Sequence, residues 1–199
     1  MILVKTSLLI LSFVGYLVFV STRISGGFYK APFIYCCITS IILYFFGLIG
    51  LLNVGTVFTT GVGIVLLAIS FKLYSKRIFN ELIEHPGYFL AIAPYLLLYT
   101  SIQENFEFII WDEFSYWASS TKIIVTTNAF FNENSPIFFK SYPPLQQLFQ
   151  YYFVKLSFWS EKNVLYAQIF WTLSAILCVV GDLSGFIGPF SFRNDGSGC

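Results

Sequence analysis

Charge is what this sequence has least of. Asp, Glu, Lys and Arg make up 11% of its 199 residues, against about 25% in soluble globular chains, which must face water over most of their surface. A water-soluble domain is thereby excluded. Eleven basic residues against ten acidic ones leave a net charge of +1, so there is no basic footprint for nucleic acid and no acidic disordered tail. Histidine is nearly missing, and the single His85 before Pro86 is read as an ordinary loop residue. The four cysteines, Cys36, Cys37, Cys178 and Cys199, have no metal-ligand spacing. Three of them lie in or beside apolar runs, where a thiol behaves as a small buried hydrophobe. No phosphate-loop lysine accompanies Gly61-Val62-Gly63, so these glycines are read as helix packing.

What the chain has in abundance is apolar surface: 57% hydrophobic and 21% aromatic residues, with a mean hydropathy of +0.75. A bilayer core of about 30 Å needs roughly 20 mostly apolar residues per helix. The runs Ile2 to Val20, Pro32 to Asn53, Gly55 to Phe71, Gly87 to Ile102, Pro144 to Trp159 and Val164 to Gly181 suggest about six such spans. The fifth is the weakest, because Gln146, Gln147, Gln150 and Lys155 interrupt it. In hydrocarbon the backbone must satisfy its own hydrogen bonds, and continuous apolar runs of this length are helices rather than alternating barrel strands. The expected fold is all-α: a polytopic integral membrane protein forming one membrane domain over residues 1–199. The first run, with Lys5 ahead of an apolar stretch ending at Val20-Ser21, has the outline of a secretory signal. Further spans follow it directly, so it is read as a membrane helix.

Short loops rich in Lys and Arg stay in the cytoplasm, which places Lys72 to Pro86, with Lys72, Lys76 and Arg77, inside. One crossing later, residues 102–142 fall on the exterior face. This loop holds Glu104, Glu107, Asp112, Glu113 and Glu133 against Lys122 and Lys140, and long loops of this kind tend to carry function. Within it Phe114, Trp117, Ala118, Ile124 and Val125 share one helical face, while Ser115, Ser119, Lys122 and Thr126 share another. That pattern predicts an amphipathic helix lying in the membrane interface. Asn128 to Pro136 reads as a turn, and Tyr142-Pro143-Pro144 as an extended opening to the next span.

Two carboxylates between aromatics, Trp111-Asp112-Glu113-Phe114, stand just outside a span. Adjacent helical residues point about 100° apart, so only one of the pair is expected to reach a reacting atom. Residue physics leaves two uses for Asp112: a cap accepting from the amide of Phe114 or Ser115, or a partly desolvated carboxylate serving as general base. The glutamines at 146, 147 and 150 leave a similar choice between interhelical packing and contact with a sugar or acceptor.

Asp112-Glu113 at the head of an exterior helix, Tyr116 within it, and Tyr142-Pro143-Pro144-Leu145 opening the next span, with Pro143 standing 31 residues after Asp112, resemble the first exterior loop of C-type membrane glycosyltransferases. The likeness is to the branch containing protein O-mannosyltransferases and lipid A aminoarabinose transferases, and it covers roughly Phe106 to Tyr152 of this chain. It implies that Asp112 is the catalytic base and Glu113 its support. It further implies a sugar donor carried on a polyprenyl phosphate, transfer with inversion to a glycan or lipid acceptor of the cell envelope, and substrate contacts from Tyr116, Lys122, Lys140, Tyr142 and Gln146. Lys122 and Lys140, the only cations in the loop, are the candidates to meet the donor phosphate; their other reading is as solvated lysines flanking a membrane helix. The implied setting is a multi-pass protein of a bacterial plasma membrane. No cofactor is assigned: one Asp-Glu pair does not define a metal site, and a divalent cation at the leaving phosphate stays open.

The chain departs from that branch in two positions. Ser115 stands where the aminoarabinose transferases have arginine, and Tyr142 where a basic residue often precedes Pro-Pro. Members of the branch are also longer, with more spans and a soluble exterior domain, and the tail at 182–199 turns to Gly, Ser, Phe and Asn. An amino-terminal portion of such an enzyme is therefore expected. The competing expectations are a polysaccharide polymerase or transport-type membrane protein, and an inactive truncated remnant.

Overall fold

A computed structural model describes residues 2–24, 27–84, 95, 97, 100–102, 107–108, 116–137, 140–141 and 143–187, with backbone only at 2, 27, 74–84 and 182–187. Among these residues the fold is all-helical. Six helices follow in order: α1 (Ile2–Arg23), α2 (Gly27–Leu48), α3 (Leu52–Glu84), α4 (Ala118–Thr127), α5 (Leu145–Leu156) and α6 (Glu161–Ile187). Four stretches, Leu3–Arg23, Phe28–Leu48, Leu52–Leu73 and Glu161–Gly181, are long and apolar enough to cross a membrane. The architecture is that of a membrane-embedded helical protein.

The distribution of side chains agrees with that setting, since it reverses the one water selects. Ser12, Thr59, Gln150 and Ser174 are wholly buried, whereas Leu3 is 83%, Val57 73% and Phe45 64% exposed. In water such exposed apolar stripes would favour association; against lipid tails they cost nothing, and polar groups turn inward to find partners. Several buried hydroxyls find theirs one turn back. Thr59 donates to the Gly55 carbonyl at 2.8 Å, Thr60 to Thr56 at 2.8 Å and Ser174 to Phe170 at 2.7 Å, so each polar group is satisfied within its own helix.

Helix α1 packs along both α3 and α2. At the α1–α3 crossing the backbones meet through glycine. A Cβ on Gly15 would lie 1.9 Å from the Gly63 carbonyl oxygen, and one on Gly63 would lie 2.7 Å from the Ser12 Cα. Gly61, two residues earlier, faces open space. Of the two glycines in Gly61-Val62-Gly63, only Gly63 makes the close helix crossing, while Val62 packs against the core. Between α2 and α3 the chain turns at Gly50, whose φ is +74°. The Leu51 amide donates to the Phe46 carbonyl at 2.8 Å and the Gly50 amide to Gly47 at 3.0 Å, a Schellman ending that needs a residue tolerant of left-handed backbone. Gly50→Ala is expected to lower the unfolding free energy by about 1 kcal/mol, measured by denaturant titration in detergent.

Three segments differ from the expectations. α2 begins at Gly27, five residues before Pro32, and holds that proline inside the helix. α3 runs through Lys72 to Glu84, where a polar loop was expected; no Gly or Pro interrupts 74–84, so the helix outlasts its apolar run. The fifth apolar run forms α5, only 12 residues long. At 1.5 Å per residue it extends about 18 Å, short of the roughly 30 Å of a bilayer core. The fourth run, Gly87 to Ile102, falls largely outside the described residues. Within it Tyr95 is buried, and its hydroxyl pairs with Ser174 of α6 at 3.0 Å.

Candidate functional site

Phe108 and Phe130, among the described residues of the loop that follows residue 102, lie at one end of the bundle. Phe108 donates its amide to the Glu161 carboxylate in the first turn of α6, and the Ser160 hydroxyl caps that turn by accepting from the Asn163 amide at 3.1 Å. The Phe130 ring lies 5.5 Å from that of Tyr44, tilted by 31°, and covers Gly47 near the end of α2, where a Cβ would meet its ring at 2.3 Å. These described loop residues, the α2–α3 connection and the α6 N-terminus thus share one end.

α4 is built for a half-wet position. Lys122, Thr126 and Thr127 are exposed; Ala118, Ser120, Thr121 and Ile124 are buried. A wider π-type turn at Tyr116 and Trp117 precedes the regular helix. Its carbonyls are engaged by hydroxyls one turn on, Ser120 donating to Tyr116 at 2.7 Å and Thr121 to Trp117 at 2.8 Å. Such turns interrupt a helix at a cost and concentrate at functional sites. The Trp117 ring lies edge-on to Phe108 at 5.2 Å. α4 ends at Asn128 in left-handed backbone, φ 52°, with its amide donating to Ile124 at 2.9 Å; asparagine is among the few residues that tolerate this geometry.

α5 holds α4 in place. It opens at Pro144, where the Leu148 amide donates to the Pro144 carbonyl at 2.8 Å, so the proline ring occupies a position whose amide needs no helical partner. The Thr121 hydroxyl of α4 donates to Gln150 Oε1 at 2.5 Å, and Gln150 Nε2 donates to Gln168 Oε1 of α6 at 3.3 Å. Next to it, the Tyr151 hydroxyl lies 3.1 Å from Asn53 Oδ1 on α3 and 3.2 Å from Asn128 Oδ1 at the end of α4. Tyr152 reaches deeper, 3.2 Å from Ser12 Oγ and 3.1 Å from Thr60 Oγ1. Three consecutive residues of one short helix therefore bind α4, α6, α3 and α1. For the Thr121–Gln150 link, a double-mutant cycle with Thr121→Val and Gln150→Leu is expected to give a coupling of about 0.6–1.7 kcal/mol in denaturant titration.

Asp112, Glu113 and Tyr142 lie outside the described residues. Tyr116 is half-buried in the widened turn, Lys122 points outward from α4, and Gln146 is half-exposed near the start of α5. Lys140 is exposed and donates to the Glu133 backbone carbonyl. Sequence reasoning missed Thr121, Tyr151, Asn128 and Asn53. The signal for Asn128 was its place just after an apolar-periodic stretch; for the others only the tertiary arrangement reveals the pairing. Among the described residues no group of three or more His, Cys, Asp or Glu could hold a metal ion.

On another face of α5 lies a cavity of about 430 Å³ between α1, α2 and α6, with Phe13, Tyr35, Phe149 and Phe170 in its walls. These rings pack edge to face or stacked, Phe13–Phe170 at 5.5 Å, Tyr35–Phe149 at 5.9 Å and Phe149–Phe170 at 5.9 Å, spacings favourable to aromatic pairs. No protein-family model matches the chain, and no curated protein or solved structure does either.

Proposed function

We propose that this chain is a membrane glycosyltransferase of the C type, moving a sugar from a polyprenyl-phosphate donor to a cell-envelope glycan or lipid on the exterior face. The observation that carries the proposal is the clasp between α4 and α5. The helix that follows Asp112-Glu113-Tyr116 in sequence is hydrogen-bonded to the helix opened by Pro143-Pro144-Leu145, through Thr121–Gln150 and Asn128–Tyr151, which supports reading the two motifs of the resemblance together.

The roles follow from chemistry. An acceptor hydroxyl attacking an anomeric carbon must lose a proton, and Asp112 takes it; Glu113 supports that carboxylate, and the bond to the phosphate breaks on the opposite side of the sugar. Lys122, exposed on α4, meets the leaving phosphate, and Tyr116, Tyr142, Lys140 and Gln146 line the approach. Tyr95 lies beside Ser174, mid-way along α6, while Phe108 lies at that helix's start. This placement supports a further crossing between α3 and the loop, and hence an exterior loop opposite Lys72, Lys76 and Arg77. The test is transfer from a polyprenyl-phosphate sugar in proteoliposomes with wild type and Asp112→Asn. Retained turnover in the variant removes Asp112 from the mechanism.

A further inference from the structure

α6 is the least covered of the four apolar spans. Only 17% of its span is buried inside the protein, against 28%, 44% and 33% for those of α1, α2 and α3. One stripe of it, Ala167, Phe170 and Ser174, is buried in the bundle. On the other side Leu165, Gln168, Thr172, Ala175 and Val179 recur every three or four residues, the spacing along which two helices form a seam. None of these five is buried, and Thr172 and Val179 are exposed.

One member of that seam carries unspent hydrogen-bonding capacity. Gln168 stands seven residues into α6, about 10 Å along the helix axis from its start. Its Oε1 accepts from Gln150 Nε2 at 3.3 Å, which uses one of two lone pairs. Its own Nε2 has two N–H donors, and among the described residues neither meets an acceptor. Gln168 is only part-buried and that nitrogen is not enclosed, so the donors open to the outside of the bundle. Lipid tails offer them nothing, and an amide left unpaired in hydrocarbon is costly. The Thr172 hydroxyl on the same seam is already settled, donating to the Gln168 carbonyl at 3.1 Å. The seam is therefore apolar but for one amide, which retains both free donors and a free acceptor lone pair.

We propose that this face of α6 is a homodimer interface, in which the α6 helices of two copies pack side by side and their Gln168 amides pair, each Nε2 donating to the other's Oε1. A second copy is favoured over an unrelated helix on two grounds. Chains inserted in the same orientation carry Gln168 at the same depth, so a two-fold axis along the membrane normal brings the two amides face to face. The primary amide is also its own complement, offering donor and acceptor at once, whereas another partner would need a matching polar group at that depth. A lone polar position in an otherwise apolar seam fixes register and stoichiometry, as it does in a coiled coil. The interface is independent of the transfer chemistry and stands or falls by itself.

The test uses the full chain, singly labelled with a fluorophore and reconstituted into phospholipid vesicles over a range of lipid dilutions, with chains per vesicle counted by stepwise photobleaching. Wild type is expected to appear as pairs at dilutions where chance alone would place chains singly. Gln168→Leu raises the chain density needed for pairing by about tenfold, and Thr172→Trp, which puts bulk into the seam, raises it at least as far. Two controls separate pairing from a damaged fold. Gln150→Leu breaks the same internal hydrogen bond as Gln168→Leu but keeps the Gln168 amide, so pairing persists. Val57→Trp adds equal bulk at an exposed position of α3 and leaves pairing unchanged. Wild type that stays single at every density, Gln168→Leu that pairs like wild type, or an equal loss of pairing in either control would each overturn the proposal.

Discussion

Gly63→Ala is expected to destabilise the protein by about 1–3 kcal/mol, while Gly61→Ala, two residues away on the same helix, leaves stability unchanged or slightly raised. The difference follows from what each new methyl meets. At position 63 it would lie 2.7 Å from the Ser12 Cα and the Ser12 carbonyl oxygen, which are backbone and cannot rotate aside, so α1 and α3 must separate. At position 61 it meets nothing within 4 Å. Gly15→Ala is expected to be at least as damaging as Gly63→Ala, since its methyl would lie 1.9 Å from the Gly63 carbonyl oxygen. The effect should also travel, because Ser12 Oγ is 3.2 Å from the Tyr152 hydroxyl and a displaced α1 withdraws that partner from α5. Denaturant titration in detergent micelles gives the comparison directly. Equal losses at 61 and 63 would show that helix propensity, rather than the close crossing, sets the cost.

Membrane character was legible in the sequence because a bilayer imposes a length rule, and three of the four stretches long enough to cross fall on apolar runs with nearly the expected limits. The ends were less legible. Lys72 marks where apolar character stops, but a helix stops only where its backbone bonds do, and nothing between Leu73 and Glu84 ends them. α5 shows the opposite error. Its sixteen-residue apolar run invited a spanning assignment, yet Gln147, Gln150, Tyr151 and Tyr152 are buried among protein partners, not lipid. The interrupting glutamines were the available signal, since a polar side chain at membrane depth needs a partner helix. Which partner could not be read: Thr121 lies 29 residues before Gln150, and Asn53 lies 98 before Tyr151. For the candidate site, the sequence supplied the face of α4 that stays wet, with Lys122 and Thr126 exposed as their spacing required. It did not supply the inward turn of Ser120 and Thr121, because small hydroxyl residues suit either face of a half-buried helix.

The arrangement explains why a short helix should be worth its polar load. α4 alone, at 10 residues, is too short to hold its own conformation. With Thr121 and Asn128 fastened to α5, and α5 fastened to α1, α3 and α6, α4 is anchored to the membrane core near both of its ends. An enzyme acting on a lipid-linked donor needs that kind of anchoring, since a displacement of about 1 Å at the reacting groups can cost a hundredfold in rate.

Asp112→Asn is accordingly expected to lower the turnover of a polyprenyl-phosphate sugar by about 10²–10⁴-fold, the range supplied by a positioned general base, with little change in donor KM because the amide keeps the shape of the carboxylate. Glu113→Gln is expected to cost less, since on a helix it points about 100° away from its neighbour and acts only through it. Lys122→Ala should raise the donor KM and weaken binding of the free polyprenyl phosphate, as loss of a phosphate contact requires. The pH profile separates a base from a merely structural carboxylate. A base works only when deprotonated, so wild-type kcat falls as the pH drops through the carboxylate's titration, and the residual activity of Asp112→Asn loses that acid limb. Thr121→Val combined with Gln150→Leu provides the control from the other side: it loosens α4 and lowers kcat while leaving the acid limb in place. A variant at Asp112 that kept both full turnover and the wild-type profile would assign the residue to capping its helix, the other use its position allows.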